Sequence, residues 1–183
     1  MSYKGFSVCA INGSSRTNGQ TAKRLKRILG DARGLGATCS LIHLVREKLD
    51  PCDGSLGPSR RADMERVLKQ VERADGVIFG TPTYWFNMSG LMKNFLDRLL
   101  VTEKKWPLEW KVAGFVASGS KHEDGSMNAI SGIATATNHL GMVTFPYSML
   151  YFHGHGAPWA KKDIGTYAKR MLEMIRITRE GRV

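Results

Sequence analysis

The stretch Gly76-Val77-Ile78-Phe79-Gly80-Thr81-Pro82-Thr83-Tyr84-Trp85-Phe86-Asn87-Met88-Ser89-Gly90-Leu91-Met92-Lys93-Asn94-Phe95 decides the fold. Gly76 to Gly80 is almost entirely apolar, as expected of a strand buried on both faces. Leu91, Met92, Phe95, Leu96, Leu99 and Leu100 recur at helical spacing and predict a helix from Ser89 to about Leu100. Thr81 to Met88 reads as the loop between them. Buried strand, loop and amphipathic helix together are half of a βαβ unit, and such units build parallel sheets.

The same unit recurs on either side. Phe6 to Ile11 is a strand, Asn12 to Ser15 a loop, and Asn18 to about Arg33 a helix with Ala22, Leu25, Ile28 and Leu29 on one face. Ala37 to Leu44 is a second strand. A loop from Arg46 to Ser59, rich in Pro and Gly, leads to a helix from Arg61 to Arg73. Val112 to Ser118 is the fourth strand, Ser120 to Gly125 a polar loop, and Ser126 to Leu140 a helix. Met142 to Pro146 is a short fifth strand. Tyr147 to Lys162 reads as an irregular aromatic connection, and Asp163 as the N-cap of a last helix. Five strands alternating with five helices predict a parallel sheet with right-handed crossovers and helices on both faces. No linker or repeat divides the chain, so residues 1–183 are expected to form a single domain.

Composition narrows the function classes. At 183 residues, 42% hydrophobic and 23% charged, the chain reads as a soluble globular protein, not a disordered or collagen-like one. Lys and Arg number 27 against 16 Asp and Glu, a formal charge of +11 that favours anionic ligands such as phosphates and nucleotides. The cations are scattered in pairs that suit solvated helix exteriors, and no nucleic-acid recognition motif accompanies them. Cys9, Cys39 and Cys52 are odd in number and widely spaced, which argues against a disulfide framework. No apolar run approaches a membrane span and no signal-peptide pattern opens the sequence, so a cytoplasmic location is expected, with neither membrane nor nucleic acid as partner.

In such sheets ligands sit beyond the carboxyl ends of the strands, at the switch point of the topology. Three loops leave those ends with unusual composition. Gly13 to Thr21 packs hydroxyls and amides before a helix start, where unpaired N–H groups and the positive dipole end suit a phosphate. Ser14, Asn18, Gln20 and Thr21 add donors and Arg16 adds charge. Neither a P-loop nor the dinucleotide glycine pattern fits, because Asn18 and Ser15 stand where each needs glycine. The second loop sets Tyr84, Trp85 and Phe86 side by side, able to line a slot for a flat ring, although such a loop taken alone is as often core or interface. The third, Ser118 to Gly125, is small and polar and then charged.

The motifs Gly13-Ser14-Ser15-Arg16…Asn18-Gly19-Gln20-Thr21 and Ala74-Asp75-Gly76…Thr81-Pro82-Thr83-Tyr84-Trp85…Met88-Ser89-Gly90…Asp97-Arg98 resemble those of the NAD(P)H-dependent FMN reductase family, in the branch shared with iron–sulfur flavoproteins and multimeric flavodoxins. The resemblance spans roughly residues 6 to 146. It implies a flavodoxin-like three-layer α/β/α sandwich whose five-stranded parallel sheet has the order 2-1-3-4-5. It implies bound FMN, with NADPH or NADH as co-substrate, and hydride passed through the flavin to a quinone, a flavin or another small acceptor. The other class considered is a flavodoxin-type electron carrier without its own NAD(P)H turnover; the basic charge and Arg16 speak against it. By motif, Ser14, Arg16, Asn18, Gly19, Gln20 and Thr21 would hold the phosphate. Pro82, Thr83, Tyr84, Trp85, Phe86, Asn87 and Met88 would flank the ring, and Ser118, Gly119 and Ser120 its opposite edge. No catalytic acid–base residue and no metal ligand is implied.

Cluster-bearing relatives place four cysteines before the second helix. Here only Cys52 stands there, so no iron–sulfur cluster is expected. His153 and His155 fit a lid or subunit contact better than a metal site, and His122, Glu123 and Asp124 flank the expected pocket. His43, on a strand, reads as a satisfied packing residue, and Cys9 and Cys39 as inert core thiols. Relatives are dimers or tetramers. The apolar surplus of the third helix, with Phe95 and Leu99, together with the aromatic Tyr147–Trp159 stretch, points to a homodimer or homotetramer here too.

Overall fold

The computed structural model describes residues 2–55, 62–102, 105–119, 123–153 and 159–181. In chain order the elements are β1 (Ser7–Asn12), α1 (Gln20–Gly34), β2 (Thr38–His43), a 3-10 turn (Leu44–Arg46), α2 (Ala62–Arg73), β3 (Gly76–Tyr84), β4 (Asn87–Met88), α3 (Gly90–Arg98), a second 3-10 turn (Leu99–Thr102), β5 (Val112–Gly119), α4 (Glu123–His139), β6 (Val143–His153) and α5 (Trp159–Glu180). The sheet runs β2-β1-β3-β5-β6 with all neighbours parallel, and β4 pairs antiparallel with the end of β3. Counting the five parallel strands alone, the order is the expected 2-1-3-4-5.

Side-chain alternation sorts the strands into two cores. Val8 and Ala10 of β1, with Ile78, Val112 and Val116, face Leu25, Ile28 and Leu29 of α1 and Met171, Leu172 and Ile175 of α5. Cys9 and Ile11, with Val77, Phe79 and Phe115, face Val67 of α2, Met92 and Phe95 of α3 and Ile130 of α4. The sheet is therefore sandwiched between two helical layers. Gly80 lets α1 settle onto β3, since a Cβ there would come within 2.6 Å of Leu25 Cδ1.

Three elements depart from the sequence expectation. The Thr81–Met88 loop is instead the continuation of β3 and a tight hairpin into β4, with Thr83 opposite Met88 and Tyr84 opposite Asn87. The turn is made by Trp85 and Phe86, both at positive φ (44° and 62°), as the hairpin's right-handed twist requires. The helix expected from Ser126 begins at Glu123. Finally, the Tyr147–Lys162 connection is mostly structured. Tyr147 to His153 belong to β6, and α5 begins at Trp159, so Asp163 lies inside that helix and is not its N-cap. The strand was concealed by a large bulge: Ala113 pairs with Thr144 but Phe115 with Met149, and Tyr147 takes φ 62°. Beneath the bulge the fully buried Tyr167 hydroxyl donates to the Ser148 carbonyl at 2.8 Å and lies against Gly114, where no Cβ would fit.

The apolar surplus of α3 is also accounted for inside the chain. Met92, Phe95 and Leu99 are fully buried, and only Leu100 is exposed among the large residues of that stretch. Phe95 and Leu99 thus belong to the core and not to a subunit contact. The remaining polar side of α3 holds the loop after β2. Arg98 Nε donates to the Asp50 carbonyl at 2.9 Å, and Asn94 exchanges bonds with Asp50 and Cys52. Among the described residues, no helix is long and apolar enough to cross a membrane.

Candidate flavin site at the carboxyl edge of the sheet

The loop after β1 begins in the sheet. Gly13 N–H donates to the Gly80 carbonyl at 2.7 Å, so the chain leaves β1 pressed against β3. A Cβ at Gly13 would come within 2.9 Å of Met92 Cβ, which leaves glycine as the residue that fits. The Gly13 carbonyl accepts from Ser89 Oγ at 2.6 Å, and the same Ser89 oxygen caps α3 by accepting from Met92 N–H at 3.2 Å. Ser89 N–H in turn donates to Thr81 Oγ1 at 3.0 Å. One serine therefore ties the loop after β1 to strand β3 and to the start of α3.

The rest of the first loop folds on its own polar groups. Ser14 N–H donates to Asn12 Oδ1 at 3.2 Å, Arg16 N–H to Ser14 Oγ at 3.1 Å, and Gly19 N–H to the Arg16 carbonyl at 3.3 Å. Gly19 is the N-cap of α1 and supplies no side-chain cap, and the first turn carries no acid. The first helical bond is Lys23 N–H to the Gly19 carbonyl, so the N–H groups of Gln20, Thr21 and Ala22 have no helical acceptor. Ser15 through Gln20 and Lys23 line an open concavity of about 560 Å³ at that helix end. In the same loop Ser14 and Thr21 are buried, while Arg16, Asn18 and Gln20 are exposed. Lys26 Nζ adds a bond to Asn18 Oδ1 at 3.3 Å. An uncapped helix start, hydroxyls and cations with no carboxylate in the turn form a donor set that fits a phosphate.

The hairpin stands beside it. Trp85 is 93% exposed, with Tyr84 and Phe86 each about half exposed, and Trp85 and Phe86 meet edge to face at 6.2 Å. Aromatic side chains at positive φ on a two-residue turn are costly placements, and such strain concentrates where ligands bind. The hairpin is clamped from behind: Thr83 Oγ1 and Ser126 Oγ are 3.0 Å apart, and a Cβ on Gly125 would strike Thr83 Cγ2 at 2.6 Å. Across the sheet, Ser118 pairs in register with Pro82, and its hydroxyl is buried with no partner among the described residues. A buried hydroxyl at the rim of an aromatic slot suits the polar edge of a ring.

Sequence reasoning thus placed the two main loops, and the structure brings them to one edge, joined by Ser89. Gly119 closes β5 beside Ser118, while Ser120 lies outside the described residues, as do His122 and His155. Lys23, Ser89 and Ser126 join the site without having been singled out. Ser89 was legible as a helix cap three residues before Met92, and Lys23 as the position one turn into α1. Cys9 is fully buried and burial pushes its thiol up to about 11, whereas Cys39 is only half-buried on the edge strand β2. Among the described residues no group of His, Cys, Asp or Glu is arranged to hold a metal.

Comparison with known proteins identifies the family. The sequence profile of the NADPH-dependent FMN reductase family matches residues 6–156. An iron-sulfur flavoprotein of Archaeoglobus fulgidus is 31% identical over 150 residues, covering 78% of this chain and 73% of that one. An NAD(P)H dehydrogenase (quinone) of Acidithiobacillus ferrooxidans is 40% identical over 76 residues, covering 40% of this chain and 38% of that one. Among solved structures, the flavoenzyme NAD(P)H:(acceptor) oxidoreductase FerB of Paracoccus denitrificans superposes with a TM-score of 0.77 at 17% identity, covering 94% and 98% of the two chains, a likeness of fold.

Proposed function

Because this chain belongs to the NADPH-dependent FMN reductase family, and is thereby an NAD(P)H-dependent flavin oxidoreductase, we propose that it holds FMN at the carboxyl edge of its sheet and serves a small acceptor such as a quinone or a free flavin. One observation carries the placement. The uncapped, acid-free N-terminus of α1 is tied through Gly13 and Ser89 to an exposed aromatic hairpin, so an anion site and a ring site share one rim.

Bound FMN supplies the hydride chemistry; the chain supplies binding, orientation and electrostatics. Ser14, Arg16, Asn18, Gly19, Gln20 and Thr21 hold the phosphate by backbone and side-chain donors. Pro82 through Met88 flank the ring. The antiparallel pair Tyr84–Asn87 keeps Trp85 and Phe86 at the hairpin tip, where they cover the ring and limit water. Ser118 and Gly119, with Ser120, border the opposite edge, and the Ser118 hydroxyl gains a partner there. No side chain is assigned as acid or base. With Cys52 the lone cysteine of its segment, the chain lacks the thiolates for a cubane cluster.

Leu100, Trp106 and Trp110 are exposed near the far ends of α3 and α4 and favour assembly into a homodimer or homotetramer. Light scattering reads this directly against the 20.3 kDa monomer. The activity is tested by steady-state NADPH and NADH oxidation by the FMN-loaded protein with a panel of quinones, flavins and azo dyes. Turnover with at least one acceptor is expected. Nicotinamide oxidation that no acceptor accelerates would overturn the acceptor reading.

A further inference from the structure

Asn12 and His43 are the last register pair of β1 and β2, and Asn12 Nδ2 lies 2.8 Å from His43 Nδ1. Asn12 is completely buried, so its amide depends on protein partners. Its Oδ1 accepts from Ser14 N–H, and a backbone N–H can only donate. This fixes the amide with oxygen toward Ser14 and nitrogen toward His43. Two donors cannot face each other, so His43 Nδ1 is the acceptor, the ring is neutral, and its proton sits on Nε2. Ser14 Oγ then takes Arg16 N–H, and the Arg16 carbonyl takes Gly19 N–H at the cap of α1. A single hydrogen-bonded chain therefore runs from His43 on the sheet edge to the helix end that lines the concavity.

We propose that His43 is a positioning residue of the phosphate loop: its neutral ring holds Asn12, and through Asn12 the Ser14–Thr21 loop, in the conformation that receives the FMN phosphate, and protonation of the ring releases that conformation. The inference rests on reading that loop as the FMN phosphate site. A proton taken up at Nδ1 sets N–H against the Asn12 NH2 group. The amide must then turn over, and Ser14 N–H loses its acceptor. The surroundings oppose that proton: burial, Arg46 on the following turn and Lys26 on α1 all hold the imidazole below its ordinary range. Lys26 also bonds Asn18, so the cation that disfavours a charged ring reaches the same loop. The device keeps the loop set at neutral pH and loosens it on acidification.

The test uses FMN and riboflavin, which lacks the phosphate, titrated by flavin fluorescence into the wild type, His43→Asn and His43→Leu at about pH 7.5 and about pH 5, either side of the imidazole range. An asparagine Oδ1 takes the place of Nδ1 and accepts at every pH; leucine cannot accept. FMN gains its own proton near pH 6, but equally in all three proteins, so the comparison between them is what counts. In the wild type the preference for FMN over riboflavin should fall about tenfold further than in His43→Asn, the usual weight of one unmade buried hydrogen bond. His43→Leu should show a weakened preference at both pH values, and thermal melts confirm that it is folded; should it not fold, the Asn variant decides alone. An FMN preference that falls equally in the wild type and His43→Asn overturns the role of His43 and leaves the phosphate site standing. Absence of any FMN preference in the wild type at about pH 7.5 overturns the phosphate site itself, and the proposal with it.

Discussion

Gln20→Glu separates what α1 wants from what its ligand wants. Gln20 is the exposed first residue of α1, at a helix end with no acid in its first turn and no side-chain cap. A carboxylate there meets the positive end of the helix dipole and should stabilise the ligand-free protein by about 0.3–1 kcal/mol. For a chain of this length that raises Tm by about 1–4 °C. The same carboxylate also lines the concavity assigned to the phosphate. At about 5 Å, a unit charge against a phosphate of about −1.5 to −2 is repelled by about 1.5 kcal/mol in water-like surroundings, the regime of an exposed residue. FMN affinity should therefore fall about tenfold at low salt, and less as salt screens the pair. Riboflavin affinity should not change. The assay is a thermal melt without flavin, followed by titration of both flavins at two ionic strengths. Unchanged FMN affinity, or equal weakening of riboflavin, would refute the placement of the phosphate. A lower Tm without ligand would refute the account of the helix end.

Other perturbations probe separate parts. Removing both hydroxyls in Ser14→Ala with Thr21→Ala should weaken FMN by about 1–3 kcal/mol, or more if the two effects add, read by ultrafiltration of the flavin. Trp85→Gly relieves a positive φ, which should raise the stability of the ligand-free protein by about 1 kcal/mol in urea unfolding while loosening both FMN and riboflavin. Glu173 is one source of acid sensitivity: the Tyr3 hydroxyl and the Arg176 guanidinium hold its carboxyl below its ordinary range. A lowered carboxylate contributes stability at neutral pH that disappears as pH falls through its folded-state value. Tyr3→Phe should therefore narrow the gap between the urea midpoints at about pH 7 and about pH 3, and an unchanged gap would contradict it.

Sequence legibility followed the physics of each segment. β1, α1, β3 and α3 were readable because an apolar run and a helical stripe each have one dominant period, and the glycines and serine between them do recognisable jobs. The hairpin was not, since its turn lacks the Asn-Gly or Gly signal and places Trp85 and Phe86 at positive φ instead. The sequence pattern ends the last strand at Pro146 because the bulge breaks the alternation there, and the residue that fills the space beneath it, Tyr167, comes from α5. α3 looked too apolar for one sheet face because its polar side serves the Asp50–Cys52 loop, a contact that no local pattern reveals. From sequence alone His43 reads as a packing residue. Its bond to Asn12 depends on β2 lying beside β1 in register, which is a property of the sheet and not of either strand alone.

The most direct test is the visible spectrum of the purified protein, loaded with FMN and then given NADPH without oxygen. The account predicts a yellow protein that retains FMN through gel filtration, loses its flavin colour on addition of NADPH or NADH, and regains it when a quinone is added. A protein that retains no FMN, or whose bound FMN keeps its colour with both nicotinamides, would contradict it.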